Sequence, residues 1–360
     1  MQRRTALRLL ACSPLALGSG VGMSGCAPSV HIETQGFLLY GMLIQLSLPQ
    51  DAPIALEAAL NMVERQFKQD YAVIHPWQDS PLTRLNAALP SGDWVQLEPA
   101  LRPWIEQGAR LEKRSDAYFS PAIGGLVKLW GFHSSSPNQE RTPPAPGAIA
   151  SYLQTPPRMS DLEIDGERIR SRNPLLQLDF NAMAEGMVAT RLMAEFKAQG
   201  IRHALLDSGG DLALCGQAGA RAWRVAIQDP FAEGALAALD VSGEAAVFTS
   251  GSYRKQFSYQ GRRYSHVINP HTGWPAQGLV SVSVIAQDAV LADAAATAML
   301  AAGMEKAPAL AAHMGIVEFL LVDEQGRLHA SPALAPRLKV FDPDAHPLHQ
   351  LPPQNRERPA

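Results

Sequence analysis

The chain has 360 residues, of which 46% are hydrophobic and 18% charged, with a formal net charge of -3. That supplies enough apolar material for one large domain or two ordinary ones. The near-neutral balance excludes a strongly electrostatic partner such as bulk nucleic acid, while leaving room for a small anion held by local groups.

Arg3 and Arg4 open the chain, and an apolar run through Leu17 follows. The run is short and contains Pro14, so it reads as an export signal and not as a membrane-spanning helix. It ends at Met23-Ser24-Gly25-Cys26, and small residues before a cysteine resemble the lipobox of bacterial lipoproteins. The expected organisation is a signal over 1–26, a mature domain over 27–342 and a polar, Pro-rich, disordered tail over 343–360. The expected address is the periplasm, with lipid on Cys26 holding the protein to a bacterial membrane. An ordinary cleaved signal with a chance cysteine is the plainer alternative, and the Arg3-Arg4 pair also fits a loose twin-arginine signal. Of three cysteines, Cys12 lies in the signal and Cys26 at the lipid site, which leaves Cys215 alone. No internal disulfide is expected, and Cys215 reads as a small buried apolar residue.

The mature part begins with an apolar strand over 37–48. Helical spacing of Ala55, Leu56, Ala59, Leu60, Val63 and Phe67 predicts a helix over 54–69. A Pro-containing loop over 75–90 and a second helix over 98–115, with Pro99 in its first turn, come next. Residues 131–157 read as an exposed excursion. A hairpin is predicted over 162–178 with its turn at Asp165-Gly166, then a helix over 182–199. Strands follow at 204–206 and 212–214, and at 223–228, 237–241, 246–249, 264–268 and 280–286. An alanine-rich helix spans 291–303, and a hairpin over 316–322 and 328–331 closes the domain. Strands and helices mix without strict alternation, which favours α+β over a doubly wound sheet.

Four groups of residues can carry chemistry. Asp293 and Thr297 are four apart on a predicted helix and share a face, so they can offer hard oxygen ligands to Mg²⁺. A dipole-facing Asp and a Thr bonded to its own backbone explain the same spacing. Asp179, Asn181 and Glu185 surround a strand-to-helix junction, where capping alone accounts for much of the pattern. Thr249-Ser-Gly with Arg254 and Lys255 can receive an anion, and His266 can accept a proton near neutral pH. An exposed basic pair and a structural histidine are the bland account. Phe119–Phe132 reads as a close-fitting wall or as core, Trp77 as a stacking surface for a flat ring, and Ser208-Gly-Gly-Asp211 as a close approach to a ligand or a simple turn.

Taken together and in order, these segments resemble the FAD:protein FMN transferase family, the ApbE-type flavin transferases. The likeness rests on Ser80–Asn86 (SPLTRLN), Phe119–Phe132 (FSPAIGGLVKLWGF), Asp179–Gly186 (DFNAMAEG), Ser208–Leu212 (SGGDL), Thr249–Arg254 (TSGSYR), Tyr264–Gly273 (YSHVINPHTG) and Ala292–Thr297 (ADAAAT). It implies an α+β fold of mixed sheets, T-fold-related, with FAD in a cleft and Mg²⁺ at its phosphates. It further implies Asp293, Thr297 and the Ala182 backbone oxygen as metal ligands and His266 as base. Flavin contacts would come from Tyr40, Trp77, Tyr118, Phe119, Ser120, Asp179, Glu185 and Val267. Glu185 stands where many members carry Lys. The implied reaction moves FMN from FAD to a Thr or Ser hydroxyl of an acceptor flavoprotein subunit in a periplasm-facing redox complex and releases AMP. The same site would serve an FAD pyrophosphatase or, without turnover, an FAD-binding lipoprotein. A plain solute-binding lipoprotein is the reading furthest from the motifs.

Overall fold

The computed structural model describes residues 30–133 and 141–354. The expected signal and Cys26 lie outside the described residues. The fold opens with a hairpin of β1 (Ile32–Leu39) and β2 (Met42–Pro49), which pair antiparallel with Leu39 opposite Met42. The apolar run expected as one strand is thus two. Tyr40 and Gly41 take φ of 52° and 81°, and positive φ at both positions makes the two-residue turn whose twist suits a hairpin.

Helix α1 (Leu56–Ile74) buries Leu56, Ala59, Val63 and Phe67 and continues past its expected end to include Tyr71. The expected loop after it holds a helix, α2 (Pro81–Ala88). Ser80 caps that helix by accepting the Thr83 N–H at 3.1 Å, the Thr83 hydroxyl accepts the Ser80 N–H at 2.9 Å, and Pro81 suits the first turn. Asn86 at the far end accepts the Leu178 N–H at 2.7 Å and donates to the Leu178 carbonyl at 2.8 Å. This fixes α2 against the segment that leads into Asp179.

Short elements follow: β3 (Val95–Gln96), α3 (Arg102–Arg114), α4 (Gly124–Leu129), α5 (Pro146–Tyr152), β4 (Leu162–Asp165) and β5 (Arg168–Ser171). Helix α5 falls inside the expected excursion, and the β4–β5 hairpin stops at Ser171, short of the expected 178. Then come α6 (Ala184–Ala198), β6 (Ala204–Ser208), β7 (Asp211–Cys215), β8 (Trp223–Gln228), β9 (Ala235–Val241) and β10 (Ala245–Gly251). The chain goes on through β11 (Gln256–Tyr259), β12 (Arg262–Ser265), β13 (Leu279–Ala286), α7 (Ala289–Ala302), α8 (Ala307–Met314), β14 (Glu318–Asp323) and β15 (Leu328–Ala330). It closes with β16 (Lys339–Val340) and β17 (Leu348–Gln350).

One sheet runs in the order β1-β2-β6-β7-β10-β13-β14-β15-β17, antiparallel except for β15 with β17. Strands β16-β9-β8, β3-β5-β4 and β11-β12 form three smaller sheets. The α+β expectation holds. The tail expected to be disordered from 343 does not begin that way, since β17 joins the large sheet. His346 anchors it, with Nδ1 at 3.0 Å from the Gly326 carbonyl and Nε2 at 3.4 Å from Asp229, contacts that composition does not reveal. Among the described residues no helix is long and apolar enough to cross a membrane.

The large sheet is covered on both faces. Strands β8 and β9 pack Trp223, Val225 and Leu239 against Leu212, Val247, Ile285 and Leu320. On the other face lie α1, α6 and α7, with α7 against β10 and β13. Helix α7 is buried almost all round, as an alanine-rich apolar sequence predicts. Its small side chains admit a close neighbour. A Cβ on Gly186 of α6 would sit 2.7 Å from the Ala289 carbonyl oxygen and 2.8 Å from the Val290 Cα, so only glycine lets the two helices meet there. That approach carries the start of α6 to Asp293.

Candidate active site

A cleft of about 570 Å³ opens where the start of α6, the middle of α7 and the ends of β6, β7 and β10 converge. Such a volume suits a small-molecule ligand. Eleven of the twelve expected site residues line it: Trp77, Tyr118, Phe119, Ser120, Asp179, Ala182, Glu185, His266, Val267, Asp293 and Thr297. Residues separated widely in sequence are therefore assembled around one space. Tyr40 is the exception. Its ring stacks on Tyr71 at 4.8 Å between centroids, while its neighbours Gly41, Met42 and Leu43 form the wall.

The floor is acidic. Buried Asp293 accepts the Gly186 N–H at 2.9 Å. Its carboxyl is held well above the usual carboxylate range, first by burial and then by Asp211 and Glu185. Asp211 accepts the Thr249 N–H at 2.9 Å and is pushed up to about 7 by burial, with Glu185 adding to the rise. Glu185 is also raised by burial, against the opposing effect of a 2.6 Å hydrogen bond from the Tyr71 hydroxyl. Carboxylates gathered in this way repel one another and favour a shared cation.

A divalent cation fits this donor set, because hard oxygens from carboxylate, hydroxyl and backbone suit Mg²⁺. The Thr297 hydroxyl lies beside the floor, 2.8 Å from the Ser250 hydroxyl. The residues 181–183 form a single 3-10 turn with a non-helical Ala182, so the Ala182 carbonyl is not committed to a regular helix. No three His, Cys, Asp or Glu side chains among the described residues are grouped to hold a metal by themselves. A cation here would therefore draw on backbone, hydroxyl and substrate oxygens.

A second part of the lining is basic. Arg254 donates to the Gly209 carbonyl at 2.7 Å and so ties the glycine turn after β6 to the end of β10. Gly209 and Gly210 have φ of 67° and 101°, values that glycine alone adopts freely. Lys255 donates to the Phe132 carbonyl at 2.9 Å, and burial lowers its pKa. His266 has Nδ1 at 2.9 Å from the Lys255 carbonyl oxygen. A carbonyl only accepts, so Nδ1 carries the proton and Nε2 keeps a free lone pair. Burial brings the His266 pKa down to about 4, so the ring is neutral at physiological pH.

Other expected residues serve the frame as much as the cleft. The Ser120 hydroxyl donates to Glu112, whose second oxygen accepts the Met159 N–H at 2.8 Å. The Tyr118 hydroxyl accepts from Lys306 at 2.8 Å, and its ring lies on His271 at 4.4 Å. Phe119 is almost wholly buried. Asp179 accepts the Asn181 N–H at 2.9 Å and is raised by burial. Asn269 accepts the His271 N–H and donates to the Ala301 carbonyl, which pins the turn after His266 to the end of α7. Sequence reasoning missed Tyr71 and Met42. The helical period that places Phe67 also extends to Tyr71, which is the one signal that could have found it.

The chain is similar to known proteins over most of its described length. The sequence model of the ApbE family matches residues 40–321. A FAD:protein FMN transferase of Rhodobacter capsulatus is 36% identical over 345 residues, and the match covers 94% of this chain and 65% of that protein. The chain thus spans a little under two thirds of that relative's length. A FAD:protein FMN transferase of Treponema pallidum (strain Nichols) is 32% identical over 344 residues, covering 90% of this chain and 93% of that protein. The solved apo form of Pseudomonas stutzeri flavinyl transferase ApbE is similar, with a TM-score of 0.74 and 28% identity over 86% of this chain and 97% of that one.

Proposed function

The chain belongs to the ApbE family, and from that premise we propose that it is an enzyme transferring FMN from FAD to a Thr or Ser hydroxyl of an acceptor flavoprotein, with Mg²⁺ as cofactor and AMP as the second product. The observation that carries this reading is the lining of one cleft, which holds both an acidic floor that calls for a cation and a basic wall that calls for an anion. A pyrophosphate bound between them satisfies both.

Asp293, Thr297 and the Ala182 carbonyl would hold the metal, which when bound supplies positive charge beside the pyrophosphate oxygens. Arg254 and Lys255 bind the same group from the other side. His266 Nε2 takes the proton from the acceptor hydroxyl as its oxygen bonds to the FMN phosphorus. The bond from that phosphorus to the bridging oxygen breaks, and AMP leaves with that oxygen. Trp77, Met42 and Leu43 offer a flat apolar wall for the flavin ring. We further propose that the protein is exported and held to a bacterial membrane by lipid on Cys26, facing a redox complex that supplies the acceptor.

The test is a transfer assay with the mature protein, FAD, Mg²⁺ and a purified flavin-subunit domain containing one acceptor threonine. The expected result is a mass gain of one FMN on that domain, AMP in equal amount, and loss of both with EDTA. AMP release without labelling would instead mark a pyrophosphatase, and bound FAD without AMP a carrier.

A further inference from the structure

A second groove of about 820 Å³ lies directly behind Trp77. Trp77 and Asp179 line both the groove and the cleft, so the two spaces adjoin at these residues. The groove runs past the end of α2 and along α4, where Ala87 and Lys128 are exposed. Its floor is Gln177, whose carbonyl accepts the Gly124 N–H at 2.8 Å; a Cβ on Gly124 would meet that oxygen at 2.8 Å, so the close approach of α4 needs glycine.

Its polar groups are unspent. Among the described residues no hydrogen bond or ion pair engages the Lys128 ammonium or the Gln177 side-chain amide. The Nδ1 of His133 is buried without a partner among the described residues, and its ring meets Trp77 edge-on at 5.8 Å.

We infer that this groove receives the hydroxyl-bearing polypeptide segment of the acceptor protein. The inference rests on the transfer reading above and names where its second substrate binds. Transfer needs FAD and a protein hydroxyl together. The cleft that holds the cation-binding floor and basic wall suits FAD, and a segment belonging to another folded protein must approach through an open channel that joins it. The groove has that continuity, and its unspent donors suit the carbonyls of an extended chain. Trp77 then separates the flavin from the acceptor, and Asp179 marks the point of junction.

Two variants test this. Ala87→Trp fills the groove from an exposed helix position, and Lys128→Glu reverses its one ammonium at a site where the fold is not at stake. For each, FAD affinity is read by flavin fluorescence, transfer to the flavin-subunit domain by steady-state kinetics, and folding by thermal melting. The expected result is an acceptor KM raised about tenfold with FAD affinity within about twofold of the parent. A parallel loss of FAD affinity would overturn the inference and assign the groove to the AMP half of FAD. Unchanged KM in both variants would overturn it by placing the acceptor elsewhere. Failure of the transfer reading looks different, because the unsubstituted protein would then release AMP or bind FAD without labelling the domain, and the inference would fall with it.

Discussion

The floor and the wall of the cleft handle charge in opposite ways. On the wall, Arg254 and Lys255 each donate to a backbone carbonyl and keep their charge available to a ligand. On the floor, Asp293, Asp211 and Glu185 have no salt bridge among the described residues, and burial pushes each carboxyl toward its neutral form, though Arg254 opposes the rise at Asp211. A folded protein tolerates the first arrangement without help. The second is strained until a cation arrives, which is the mark of a site kept for binding and not for stability. The contrast with Asp70 makes the point: it is as buried as Asp293 but is ion-paired with Arg191 across α1 and α6.

The sharpest way to break this contrast is to remove the floor. Asp293→Ala deletes a proposed metal ligand while leaving the apolar contacts of α7. Transfer should fall by about 10³-fold, the scale set by loss of a major electrostatic stabiliser. The lost bond to the Gly186 N–H costs about 1 kcal/mol, and relief of repulsion from Asp211 and Glu185 offsets it. Melting temperature should therefore stay near that of the parent. Transfer within about tenfold of the parent would remove Asp293 from the site's chemistry.

On the wall, His266→Ala should slow transfer by about 10²-fold or more, the usual contribution of a positioned base. FAD affinity should hold, since the positive charge on this wall belongs to Arg254 and Lys255 while the neutral ring is held by the Lys255 carbonyl. Equal loss of both would make His266 a structural residue. The pH profile refines this. With the free-enzyme pKa near 4, the ring stays neutral through pH 5 to 7, so kcat/KM for FAD should show no acid limb at the ordinary histidine value. A limb near 6.5 would mean that the titrating base is another group.

How much of this was legible in the chain differs between the two sides. Asp293 and Thr297 could be paired by helical spacing, and α7 is as alanine-rich and as buried as its sequence suggests. Asp179, His266 and Arg254 sit in motifs whose order, not whose chemistry, made them readable. The helical period could have placed Tyr71 on α1 beside Phe67, but not its hydrogen bond, because its partner Glu185 is 114 residues away. The β1–β2 turn was hidden for a different reason. An unbroken apolar run shows no alternation, and the Tyr40-Gly41 turn is marked by one glycine alone. Helix α2 was readable in principle, since Ser80 and Thr83 form a capping box, but Pro81 drew the segment toward a loop. Strand β17 depends on histidine contacts to distant loops that no periodicity encodes.

The smallest effect tests the floor without touching a proposed ligand. Asp211→Asn keeps an oxygen to accept the Thr249 N–H and abolishes titration. In the folded metal-free protein Asp211 holds its proton to about pH 7, whereas an unfolded carboxyl releases it near 3.9. Between about pH 4 and 7 the folded state therefore binds more protons, and stability from this group falls as pH rises. Asp293 and Glu185 are raised as well and act with the same sign, while the depressed His266 acts oppositely below its unfolded value. Comparing variant with parent isolates Asp211 from both. In EDTA, the parent's melting temperature should drop more from pH 5 to pH 8 than the variant's, by a few degrees on the scale where 1 kcal/mol shifts a domain of this size by about 2 °C. Saturating Mg²⁺ should close that gap, because a bound cation keeps the carboxylates ionised at little penalty. Parallel slopes in EDTA would show that Asp211 is ionised throughout, and a gap that Mg²⁺ leaves open would show that no cation reaches the floor.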